Sequence, residues 1–333
     1  MPTRFAPVLS LLVLTPLVAE YLLGSLPMSM IAILPLMAAL YGSAALLIRE
    51  TARRIGGGWG SIALLGLAYG LIEEGLLDQS LFNPDYLHLR LLDYGYVPWL
   101  GTGLPWLIYV LTIHVVWSIC VPIGLVEALF PARRTERWLG AIALAGFALL
   151  FVAGAAAITV FTYKVAPFMA SPGQLIGAAL AAGAAIAAAF ACPRYRPDAG
   201  ERRGPAAWLL FVAAFLAGSV VMACRYFGPA LNWPWPLCVA VMLAIEAGFV
   251  IFVIGATRGR RWNDFQRLAL VAGGLAVYAL FGIFTDRALH GAADMLPHAF
   301  IILFFVAVAA IAVKRVRSAE AARSRDDRPS ARM

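Results

Sequence analysis

Glu73 and Glu74 stand side by side near the end of an otherwise apolar run, within YGLIEEGLLDQS. An ionised carboxylate in hydrocarbon costs about 2.5–3.5 kcal/mol on insertion scales. Two in a row, with Asp78 one turn on, call for a compensating use. Burial suits a carboxylate to the role of general base. On a helix Glu74 and Asp78 share a face, while Glu73 turns toward the line of Tyr69. In the next apolar run His114 and Ser118 share a face, with Trp117 beside them. A glutamate and an imidazole from neighbouring helices form an acid/base pair that can activate water.

Such side chains need long helices to hold them. Of 333 residues, 62% are hydrophobic and 13% charged, which excludes a soluble globule of this size. Apolar runs of about twenty residues, enough to cross about 30 Å of hydrocarbon, recur from end to end. The expected fold class is all-α: a polytopic integral membrane bundle of about ten transmembrane helices with both termini cytoplasmic. The spans read as 6–24, 28–48, 58–77, 104–128, 139–161, 174–191, 206–224, 235–256, 267–285 and 297–313. Ala19-Glu20-Tyr21 is a poor signal-peptide cleavage site, so the first run is expected to be retained.

The basic residues test that count. Inner segments hold 22 of the 26 Lys and Arg, among them Arg49, Arg53, Arg54, Arg133 and Arg134. Only Arg90, Lys164, Arg225 and Arg287 fall outside. This asymmetry follows the positive-inside rule at every loop. The net charge of +8 is therefore a topology signal and not a nucleic-acid footprint. The expected location is the bacterial cytoplasmic membrane, with membrane lipid as a partner. Residues 1–313 form one membrane domain, and 314–333 are expected to be a disordered basic cytoplasmic tail. The loop from Asp78 to Gly103, with Tyr86, Tyr94, Tyr96 and Trp99, reads as an outer interfacial belt or a lid. The fifth and sixth spans, rich in Ala and Gly, read as packing elements. No CxxC occurs; Cys224 and Cys238 fall near one membrane face, and either pair or stay as small buried hydrophobes.

With the N-terminus inside, Glu20, Glu73 and Glu74 lie near outer helix ends and His114 lies roughly 15 Å below one. Glu246 lies near mid-membrane, and Asp286, His290, Asp294 and His298 follow the ninth span on the outside. Glu127 alone among the buried acids sits at an inner helix end. The pattern suggests one polar site opening outward.

A Glu-Glu pair at a helix end, then a helix with a histidine, then HxxxD resembles the CAAX-protease and bacteriocin-processing family of intramembrane proteases. That family carries EExxxR, FxxxH and HxxxN/D. Here the pair is Glu73-Glu74 with Asp78 in place of the arginine. The histidine is His114 with Val110 in place of the aromatic, and the third motif is His290 with Asp294. The overlap is concentrated in residues 69–118. The resemblance implies that a glutamate activates water for peptide hydrolysis while histidines assist and stabilise the oxyanion.

The first reading is thus an intramembrane hydrolase acting on a membrane-embedded peptide or lipid-like substrate, without a cofactor. A zinc variant would use His114, His290 or His298 with a carboxylate, though no HExxH spacing is present. The second reading is a proton- or cation-coupled transporter built on Glu246 and the outer carboxylates. The third is a non-catalytic scaffold. A hydrolase needs a glutamate and His114 in contact; a transporter needs a polar path past Glu246; a scaffold needs neither.

Overall fold

The computed structural model describes residues 5–193, 202–258 and 260–326. The expectations for Arg4, Arg194 and Arg196, and for tail residues 327–333, lie outside the described residues. In chain order the helices are α1 (Ala6–Leu22), α2 (Met28–Arg54), α3 (Trp59–Leu77), α4 (Leu104–Leu129) and α5 (Ala141–Val165). They continue as α6 (Pro172–Ala191), α7 (Ala207–Ala230), α8 (Trp235–Thr257), α9 (Asp264–His290) and α10 (Met295–Asp326). Among the described residues nine helices are long and apolar enough to span a membrane, and α1 is a shorter apolar one. The chain is an all-α polytopic membrane bundle. Its strands are two-residue pairs: β1 (Tyr96–Val97) with β2 (Thr102–Gly103), and β3 (Arg202–Arg203) with β4 (Arg260–Arg261).

Helices α2, α3, α4 and α9 are the most buried, whereas α5, α6, α7 and α8 turn most of their surface outward. The small residues of α6 explain one contact. Ala178, Ala182, Ala185 and Ala189 form a buried stripe, and the Ser61 hydroxyl on α3 donates to the Ala189 carbonyl at 3.0 Å. Side chains this small let two helix backbones approach closely. Between α4 and α9, Trp117 and Tyr278 stack at 4.6 Å, and the Trp117 indole donates to the Gly274 carbonyl at 2.8 Å.

One end of the bundle is closed by a buried ionic knot. Arg49 is fully buried and lies 3.0 Å from Glu127 and 2.8 Å from Glu50. Arg53 joins Glu127 at 2.6 Å and Arg54 joins Glu50 at 2.7 Å. The Arg49 guanidinium also covers the Trp138 ring at 3.2 Å. Buried charges persist only when paired and hydrogen-bonded, and these are. This corrects the expected end of the second span at residue 48. Because its charges are satisfied inside the protein, the helix continues to Arg54.

The expectation of a disordered tail from residue 314 also needs correction. Helix α10 runs on to Asp326. Val316 is fully buried, Arg317 lies over the Phe265 ring at 5.9 Å, and Arg323 reaches Asp264 at 3.1 Å. Asp264 is also paired with Arg134. Alanines and the i,i+3 spacing of Glu320 from Arg317 and Arg323 favour helix here, and the start of α9 gives it a docking surface.

Candidate active site

Among the described residues four helices carry a π-helical turn: Leu17–Leu22 in α1, Ala38–Gly42 in α2, Glu73–Leu77 in α3 and His114–Cys120 in α4. Each π turn inserts a residue into the helical ladder and re-aims the side chains after it, and such turns recur at functional sites. These four carry Glu20, Tyr41, the Glu73-Glu74 pair and His114.

Glu73, Glu74 and His114 come together, all buried. His114 Nε2 lies 3.0 Å from Glu73 Oε2 and 3.4 Å from Glu74 Oε1. Its Nδ1 lies 2.7 Å from the Val110 carbonyl oxygen. A carbonyl only accepts, so Nδ1 carries a hydrogen and Nε2 is the atom turned to the carboxylates. The contacts to the carboxylates are close but not aligned. Among the described residues His114 Nε2, Glu73 Oε2 and the Tyr69 hydroxyl are buried without a well-directed hydrogen-bond partner. Unsatisfied polar atoms this close together can take a further hydrogen-bonding group, such as water, beside them.

The surroundings hold this arrangement in place. The rings of Tyr41 and Tyr69 pack against the imidazole, with centroids at 6.3 and 5.7 Å. Gly70 makes room for it: a Cβ there would stand 2.9 Å from His114 Cβ. The other oxygen of Glu74 accepts from the Ser80 hydroxyl, which accepts in turn from the Trp106 indole at 3.3 Å. Asp78 sits at the rim, accepting from the Tyr86 hydroxyl at 2.9 Å and the Ser80 amide at 3.1 Å. A cavity of about 290 Å³ opens beside it, walled by Leu77, Gln79, Thr159, Thr162, Tyr163 and Met169. Ser118 is buried in the same π turn as His114.

The remaining sequence candidates divide. Glu20 accepts from the Ser25 hydroxyl at 2.8 Å, lies beside Tyr41, and senses the charges of Glu73 and His114. It borders the site. His290, Asp294 and His298 form a separate cluster at the α9–α10 turn. His290 Nε2 is 3.2 Å from the Ser25 carbonyl, Asp294 accepts from the Met28 amide at 3.1 Å, and His298 Nδ1 is 4.0 Å from Asp286. The expectation that His290 and Asp294 join the Glu–His group therefore needs correction: depth in the bilayer does not fix which helices are neighbours. The zinc set drawn from His114, His290 and His298 is likewise split between two clusters. Among the described residues no group of three His, Cys, Asp or Glu is placed to hold a metal. Glu246 accepts from Thr112 at 2.6 Å, away from both clusters. Tyr41, Ser80 and Trp106 were not among the sequence candidates.

Residues 9–226 match the family described as "Uncharacterized membrane protein family". No curated protein and no solved structure matches the chain. The matched stretch holds all four π turns and the Glu–His group, and it ends before Asp286, His290, Asp294 and His298.

Proposed function

The chain belongs to this family of integral membrane proteins, and on that premise we propose that it is an intramembrane hydrolase whose reacting group is Glu73, Glu74 and His114. One observation carries the reading: His114 Nε2 lies within 3.0–3.4 Å of both carboxylates while Nδ1 is fixed by Val110. A histidine with one nitrogen tied to a carbonyl and the other facing two acids is oriented to donate from that second nitrogen beside a carboxylate base.

In this reading a water binds beside Glu73, Tyr69 and His114. Glu73 takes its proton as the water oxygen attacks a carbonyl carbon. The imidazole N–H and the Tyr69 hydroxyl donate to the oxyanion that develops. The proton on Glu73 then passes to the leaving group as the scissile bond breaks. Glu74, held by Ser80, keeps the imidazole in place. The substrate is a membrane-embedded peptide or a lipid-like ester that arrives beside Asp78. The likeness to the CAAX-protease and bacteriocin-processing family supports this reading through Glu73, Glu74 and His114 only. The arginine-rich end is the cytoplasmic one, as the positive-inside rule requires.

The test is hydrolysis by the purified protein in proteoliposomes, with a library of quenched apolar peptides and esters in heavy-oxygen water. The expected product carries one heavy oxygen in its new carboxyl group. Glu73→Gln and His114→Asn should each cost about 10²–10⁴ in rate while the helical content and Tm persist. Full activity in Glu73→Gln would overturn the assignment.

A further inference from the structure

Cys224 and Cys238 lie at facing ends of α7 and α8 and are both buried. The packing of α7 places one of the sulfurs. A Cβ on Gly228, one turn beyond Cys224 on the same face of α7, would stand 3.0 Å from Cys238 Sγ. The Cys238 sulfur thus rests on the stripe of α7 that Cys224 occupies. Only thirteen residues of chain separate the pair, and the turn at 231–234 keeps the helix ends together. A loop residue also touches that sulfur. The Tyr94 hydroxyl, from the loop over this end, donates to the Trp233 carbonyl at 2.8 Å and lies 3.2 Å from Cys238 Sγ. This contact fixes the Cys238 sulfur at the loop-covered end of α8.

We infer that Cys224 and Cys238 are a covalent modification site, at which an oxidant carrying a disulfide converts the thiol pair to an intramolecular disulfide. The Cys238 thiolate attacks one sulfur of the oxidant's disulfide and expels the other as a thiolate. The Cys224 thiolate then attacks the Cys238 sulfur of the mixed disulfide and releases the second oxidant sulfur. The S–S bond of the chain forms as that of the oxidant breaks. Two electrons pass to the oxidant, and the two thiol protons leave to its thiolates or to solvent. Cys120 and Cys192 have no cysteine partner among the described residues and remain thiols. Only the end of the bundle that holds Tyr94 and Trp233 is concerned, so the bond also reports which side of the membrane that end faces, because such oxidants work outside the cytoplasm.

The experiment uses the full-length chain, extracted from membranes into denaturant with excess N-ethylmaleimide and no reductant. The expected intact mass shows two alkylated cysteines, rising to four when reductant precedes the maleimide. Proteolysis should give one cross-linked pair of peptides, containing Cys224 and Cys238. Cys224→Ser should abolish the cross-link and yield three alkylated cysteines, and the Cys120→Ser/Cys192→Ser double variant should retain it. Four alkylated cysteines without reductant, or a cross-link through Cys120 or Cys192, would overturn the inference. Neither result depends on whether Glu73 is a catalytic base.

Discussion

Asp78 stands where the Glu–His group meets the end of its helix, and it responds to pH in a way that can be measured. Burial pushes its carboxyl up to about 7, and the charge of Glu73 adds to the effect against the pull of the Ser80 amide and the Tyr86 hydroxyl. Between the ordinary value of 3.8 and about 7, the folded chain holds a proton that the unfolded chain has released. Stability contributed at Asp78 is therefore present at the acid end of that window and is lost as pH rises through it. Asp78→Asn should flatten this slope, read as Tm against pH in detergent. An unchanged slope would assign the titration to another group. At this scale the sequence was legible where residue type clashed with environment. Glu73, Glu74 and His114 stood out because apolar runs do not carry such groups without cause. Tyr41 and Trp106 did not, because aromatic side chains are common in spans and at interfaces. Glu50, beside three arginines at a helix end, carried no such signal.

At the scale of elements, close approach of two helices decides whether the acid and the base meet. Gly70 lets α3 and α4 come together beneath His114. Gly70→Ala places a methyl 2.9 Å from His114 Cβ and forces the two helices apart. Overpacking of this kind costs about 1–3 kcal/mol. We expect a lower Tm and a fall in hydrolysis although every reacting group remains, with Gly70→Ser behaving alike. Normal rates in Gly70→Ala would show that the helix spacing is not critical. Span positions were readable from hydropathy and the arginines, because both follow from the bilayer. The π turns were not, since a single inserted residue leaves hydropathy unchanged. Lateral neighbours were also beyond reach: His290 and Asp294 share an expected depth with the glutamates yet pack against Ser25 and Met28.

At the scale of the whole molecule, α10 links the chain terminus to the arginine-rich end. Ending the chain at Val313 removes the burial of Val316 and the contacts of Arg317 and Arg323. The loss is about 2 kcal/mol, mostly from Val316. A lower Tm with unaltered helical content in the membrane is the expected result; an unchanged Tm would show that the docked extension contributes nothing. The tail was misread because its composition is polar and low in complexity, while its ability to dock depends on Asp264 and Phe265 fifty residues earlier.

The ionic knot has a mechanical consequence. At its end, α2, α4 and the segment before α5 are bolted together by paired charges, and α10 is strapped to the start of α9. At the opposite end, the helices that bear Glu73 and His114 meet through aromatic packing, single hydrogen bonds and a loop. The bundle is built like forceps, with its rivet at Arg49 and its jaws at the Glu–His group. On the proposed reading, the cavity between α3 and α5 beside Asp78, at the end away from that rivet, is where a molecule already dissolved in the bilayer would enter without crossing water.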